Sequence, residues 1–167
     1  MLERFTERAR RVVVLATDEA RRRGHSAVEP AHLLMGVLRD GEGMGAHLLH
    51  QLAEHTALRA AAGQALDAMP AASPGGEVSL SAASKAVLQA ALAVDEQHFR
   101  GRVATEHLVG ALLKDDDSVV LPILYAAGSD VERTRRLLGI ARLVFRRPTE
   151  DAVRLIATST WRVRNYR

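Results

Sequence analysis

The 167 residues, 47% apolar and 26% charged with only 4% aromatic, make a globular chain long enough for one domain whose core must be built from Ala, Leu and Val. The absence of cysteine excludes structural disulfides and thiolate chemistry; with no run of about 18 apolar residues and a charge already at Glu3, no membrane span or signal peptide is expected, which fits a cytoplasmic protein. The net charge of +3 is unevenly placed, residues 1–139 carrying 16 basic against 18 acidic side chains and residues 140–167 seven arginines against Glu150 and Asp151.

Thr6 is placed to cap a first helix in which Ala9, Val12, Val13, Ala16 and Ala20 share one face, ending at Gly24. Pro30 suits the first position of a second helix carrying Leu33, Leu34, Val37 and Leu38, which stops at the loop Asp40-Gly41-Glu42-Gly43. A short third helix carries Met44, Leu48, Leu49 and Leu52, and an alanine-rich fourth covers about 55–68. Residues 69–79 include Pro70-Ala71-Ala72-Ser73-Pro74-Gly75-Gly76 and read as an exposed linker.

The order then recurs. Ser81 caps a helix with Val87, Leu88, Ala91 and Val94 inward, Thr105 one with Leu108, Leu112 and Leu113, and Ser118 one with Val119, Val120, Ile123 and Leu124. Ser129 or Asp130 caps a fourth that runs to about Leu138. No segment alternates with period two, so no sheet is expected. Phe5–Leu49 and Leu80–Leu124 align without a gap at a spacing of 75, with identities that include Val12/Val87, Val28/Val103, His32/His107, Leu33/Leu108, Asp40/Asp115 and Leu49/Leu124. Each copy is too small to bury its apolar face well, so the two are expected to pack as one all-α domain over 1–139, with copies at about 5–68 and 80–139. Residues 140–167 form a basic extension outside the repeat; Pro148-Thr149-Glu150-Asp151 resembles a helix start, with Val153, Leu155, Ile156 and Trp161 beyond it.

The run Leu2-Glu3-Arg4-Phe5-Thr6-Glu7-Arg8-Ala9-Arg10-Arg11-Val12-Val13, the linker, and Thr105-Glu106-His107-Leu108 resemble the amino-terminal double-repeat domain of the Clp chaperones, most like the ClpC branch. The resemblance implies a pseudo-two-fold pair of four-helix repeats. In the full chaperone that domain precedes two ATPase modules and receives adaptors and substrates, in some members proteins marked by phosphoarginine and in some actinobacterial members cyclic-peptide antibiotics. Nothing here matches G-x-x-x-x-G-K-S/T, so ATP hydrolysis is not expected. The chain is expected to be a free-standing, non-enzymatic recognition domain without a cofactor. Its expected partners are Clp ATPase or protease components and adaptor or substrate proteins, and it would modulate Clp proteolysis.

A phosphoarginine side chain needs an anion hole, which a capped helix N-terminus supplies, and a carboxylate for its guanidinium. Ser81 stands at a helix start in the second copy, and the resemblance gives Glu106 the guanidinium-binding role. The first copy keeps Thr6 but has Ala31 where the glutamate would be, with Glu29 two residues away on a different side of the backbone, so at most one intact site is implied. Helix capping alone also accounts for Thr6 and Ser81. Leu2 and Leu80 fall where related domains present aromatic rings to cyclic peptides. They keep an apolar peptide groove without flat surfaces, and leave a sequestering decoy for such antibiotics as an alternative.

His32 and His107, paired by the repeat, are expected to make the same structural hydrogen bond twice. His47, His50 and His55 lack a carboxylate or cysteine at ligand spacing and have no counterpart in the second copy, so no metal is assigned to them. Arg146-Arg147 and the ending Trp161-Arg162-Val163-Arg164-Asn165-Tyr166-Arg167 would suit a nucleic acid. The favoured alternative has Trp161 anchoring the extension on the repeat domain while the arginines stay solvated or pair with acidic surface, for which Asp115-Asp116-Asp117 is one candidate.

Overall fold

The computed structural model describes residues 2–71, 77–98, 102–114, 118–130, 132–134 and 136. Most of the linker's Pro/Gly/Ser run, the acidic run Asp115–Asp117 and the whole basic extension lie outside the described residues. Helices α1 (Glu7–Arg22), α2 (Pro30–Asp40), α3 (Gly43–Leu52) and α4 (His55–Asp67) make up the first copy. The second has α5 (Ala82–His98), α6 (Thr105–Leu113) and α7 (Val120–Ala126), followed by helical residues at 132–134 and 136.

Local chemistry sets these boundaries. Thr6 Oγ1 accepts from Ala9 N–H at 3.2 Å and Ser81 Oγ from Ser84 N–H at 3.1 Å, the same cap in both copies. Pro30 opens α2, and α2 ends at Gly41, whose φ of 68° returns the amide to Val37 O. Asp130 Oδ1 accepts from Arg133 N–H at 2.7 Å, so Asp130 caps the last helix. Thr105 does not cap α6. Ala104 holds that position, and Thr105 Oγ1 instead accepts from Gly45 N–H at 3.0 Å, joining α3 to α6.

Helices α2 and α6, equivalent in the repeat, form the centre. Leu33, Leu34, Val37 and Leu38 of α2 are fully enclosed, as are Leu108 and Leu112 of α6, each such side chain contributing about 1.5–3 kcal/mol. Around them α1 lies on α2 and α5 on α6, while α3 crosses to α6 and α4 to α7, so each copy closes over the other's core. Val119 departs from its expected inward place: α7 starts one residue later and Val119 is 55% exposed.

The expectation of no sheet is corrected. Ala27–Val28 (β1) pairs in parallel with Ser79–Leu80 (β2), and Phe5 bridges to Val103 in the same sense. With the spacing of 75, Phe5–Val103 and Val28–Leu80 are the same pair made twice, each joining the residue ahead of one copy's first helix to the residue ahead of the other copy's second. Strands this short carry no alternation for a sequence pattern to show.

Candidate functional site

The strand pairs decide which helix starts are neighbours. Thr6 N–H donates to Val103 O at 2.9 Å, and Val103 N–H to Arg4 O at 2.8 Å. The capped start of α1 therefore lies against the strand that leads directly into α6 and Glu106. The equivalent bond, Ser81 N–H to Val28 O at 3.1 Å, sets the capped start of α5 against the segment that leads into α2 and Ala31. Grouping by copy puts Ser81 with Glu106 and Thr6 with Ala31; the backbone pairing instead crosses between copies, from the α1 start to the strand ahead of α6 and from the α5 start to the strand ahead of α2. An alignment of the copies cannot reveal this crossing.

At each helix start the first-turn N–H groups beyond the capped one have no acceptor within the helix. Around Thr6 the chain carries charge of both signs: Glu7, Arg8 and Arg11 lie in the first turns of α1, with exposed Arg10 between them. Arg8 bonds Asp40 at 3.0 Å and Glu42 at 2.9 Å, and Arg11 lies 3.5 Å from Asp40. At the start of α5 the corresponding residues are Ala83, Lys85 and Ala86. Glu106 is half-buried in the first turn of α6. A capped helix start beside a strand that leads to a carboxylate can take a group that is anionic at one end and cationic at the other.

The two histidines behind these starts make the bond expected of them. His32 Nδ1 accepts from Glu29 N–H and His107 Nδ1 from Ala104 N–H, both at 2.9 Å, each ring standing in for the side chain that closes a capping box. His32 is completely buried and its Nε2 lies 2.8 Å from His25 Nδ1. With Nδ1 accepting, Nε2 carries the proton and donates to His25. Burial first, then the neighbouring His25, push the His32 pKa down to about 4, so the ring is neutral near pH 7.

Glu19 was missed by the sequence reading. It is fully buried on α1 and accepts from Arg22 at 2.6 Å, Arg23 at 2.7 Å and Arg39 at 3.3 Å. Burial alone would raise its pKa, but the bonds from Arg23 and Arg22 outweigh it and hold the carboxyl below its usual value. Arginines three and four residues on were the available signal. Leu2, in a single 3-10 turn, and Leu80, in β2, are both half-buried against the core. His55 Nε2 lies 3.2 Å from Leu38 O and its ring packs edge-on against His50. No group of three His, Asp or Glu among the described residues is placed to hold a metal ion, and no helix among them is long and apolar enough to cross a membrane.

Residues 4–127 match the family described as Clp repeat (R) N-terminal domain. The chain is 31% identical over 137 residues to an ATP-dependent Clp protease ATP-binding subunit ClpA homolog of Cyanidium caldarium, covering 81% of this chain and 16% of that protein. It is 29% identical over 135 residues to the chloroplastic chaperone protein ClpC1 of Oryza sativa subsp. japonica, covering 81% of this chain and 15% of that one. The crystal structure of the N-terminal domain of the chaperone ClpD from Arabidopsis thaliana superposes with a TM-score of 0.66 at 25% identity, covering 88% of this chain and all of the other. The match is thus to the amino-terminal part of much longer proteins.

Proposed function

The chain belongs to the Clp repeat N-terminal domain family, and from that premise we propose that it is a non-enzymatic recognition domain for substrate or adaptor proteins of a Clp system, through which it modulates Clp proteolysis. Its ligand-binding centre is the α1 start with Thr6, completed by Glu106 from the other copy, and the ligand class is a phosphoarginine side chain on a protein. The observation that carries this reading is the Thr6 N–H to Val103 O bond, which brings a capped helix start beside the strand that leads to Glu106. The phosphate would lie on the free first-turn N–H groups and the guanidinium on the carboxylate. The second start, with Ser81 and Ala31, has the cap without the carboxylate, and binds weakly or not at all.

Calorimetry with free phosphoarginine tests this. One site per chain is expected, abolished by Glu106→Ala, weakened several-fold by Thr6→Ala and unchanged by Ser81→Ala. Two equal sites, or indifference to Glu106→Ala, would contradict it.

A further inference from the structure

The end of α1 carries a cluster that the repeat does not need. Glu19 is fully buried, yet its two oxygens take Arg22, Arg23 and Arg39, and Arg23 also bonds Asp67 and Gly63 O of α4. At the equivalent positions the second copy has Val94 for Glu19, and Gln97, His98 and Lys114 for the three arginines. A buried carboxylate with its ion partners adds little stability over apolar side chains of the same volume. Its presence in one copy only calls for another reason.

What the cluster leaves over is cationic. Three guanidiniums meet two carboxylates, Glu19 and Asp67, so one positive charge is unmatched. Neighbouring Arg21 is already paired with Asp18 at 3.2 Å, and the buried ring of His32 is neutral near pH 7. Arg22 Nη2 and Arg39 Nη1 both donate to Glu19 Oε2, at 2.8 and 3.3 Å, which pins guanidiniums from α1 and α2 side by side. Among the described residues, Arg22 Nε and Nη1 and Arg39 Nε and Nη2 have no acceptor. The Arg22 side chain is 68% exposed and that of Arg39 31%, so these donors face water. Being held on a buried carboxylate lowers the entropy that two long side chains lose when they take a ligand. About two turns earlier on α1, Val14 is exposed, and the carbonyl of its neighbour Leu15 accepts from Arg39 at 3.3 Å.

We propose that Arg22 and Arg39 form a clamp for a carboxylate, the aspartate or glutamate side chain of a partner protein whose adjacent apolar residue packs on Val14. A carboxylate matches the single unmatched charge, whereas a phosphate monoester would bring close to two. The planar guanidinium also presents paired donors in the spacing of a carboxylate's two oxygens. The clamp is separate from the Thr6 centre, since Arg22 closes α1 about 22 Å from its capped start, and either can fail without the other.

The test is an NMR titration of the full chain with a capped pentapeptide, alanine at both ends and one glutamate between two leucines, beside its glutamine counterpart. The glutamate peptide should shift the Nε–H resonances of Arg22 and Arg39 and the amide of Val14, and added salt should weaken it; the glutamine peptide should leave all three in place. Arg22→Gln and Arg39→Gln should each weaken binding roughly tenfold. Arg21→Gln, exposed nearby but paired with Asp18, should change it by less than about twofold. Should a variant disturb the fold, the two peptides on the unmodified chain decide alone. Equal shifts with both peptides, no shift at Arg22 and Arg39, as large a loss with Arg21→Gln, or tighter binding of inorganic phosphate than of the glutamate peptide would overturn the proposal.

Discussion

Arg8 and Ala83 stand at the same place in the two copies, as do Gly36 and Ala111, and Gly45 and Val120, yet the backbone frame around them is the same. In the first copy α1 and α2 meet so closely that a Cβ on Gly36 would lie 2.4 Å from the Val12 carbonyl, and ion pairs of Arg8 and Arg11 with Asp40 and the Glu19 cluster bind the helices from outside. In the second copy Ala111 stands in the place of Gly36, alanines replace the arginines, and a groove remains. The features held in common are the caps at Thr6 and Ser81, the histidines at the third helical position and the two exchanged strand pairs. Duplication thus fixed the frame, and the copies diverged in the side chains that hang between its fixed points.

The comparison can be broken first in the core. Leu33→Ala and Leu108→Ala remove completely buried equivalents, and each should cost about 2–5 kcal/mol in denaturant unfolding. Costs that differ by more than that range would mean that the two copies do not share one core. A next effect belongs to the first copy's His32. Its folded pKa, about 4, lies below the unfolded value of 6.5, so the unfolded chain takes the proton first. Stability should be full above about pH 6.5 and fall by about 3 kcal/mol as the pH drops toward 4. His32→Gln keeps an acceptor for Glu29 N–H and should flatten that pH dependence; an unchanged slope would place the proton elsewhere.

Smaller effects sharpen the contrast between Gly36 and Ala111. Gly36→Ala should destabilise by about 1–3 kcal/mol, because the carbonyl it meets is backbone and cannot turn aside. The mirror change Ala111→Gly should cost only about 0.5–1 kcal/mol, the ordinary penalty for glycine in a helix. Ser84→Ala, which removes a buried hydroxyl without a hydrogen-bond partner and restores the residue found at Ala9, should be neutral or stabilising by thermal melting.

The helical order, the core faces of α1 and α2 and the caps at Thr6 and Ser81 were legible because they rest on local periodicity and on single side chains reaching their own backbone. The histidine pair was legible because the repeat made one observation into two. The strand pairs were not: two residues per strand leave no pattern, and their partners, Ser79–Leu80 for Ala27–Val28 and Val103 for Phe5, lie far away in the chain. For the same reason the candidate residues Thr6, Ser81 and Glu106 could be named while their grouping could not. Thr105 looked like a cap because its type suits one, and only the closeness of Gly45 shows that its hydroxyl serves another helix. Glu19 went unmarked because its burial depends on Arg39 of α2 joining Arg22 and Arg23 around it.

The central claim is that each ligand-binding centre is built from both copies. Introducing Ala31→Glu and repeating the phosphoarginine titration tests it most directly, with Ser81→Ala and Thr6→Ala each added to that variant. A second site is expected that is lost with Ser81→Ala, while Thr6→Ala affects only the site with Glu106. A second site that instead disappears with Thr6→Ala, and survives Ser81→Ala, would show that each centre belongs to a single copy and would contradict the account.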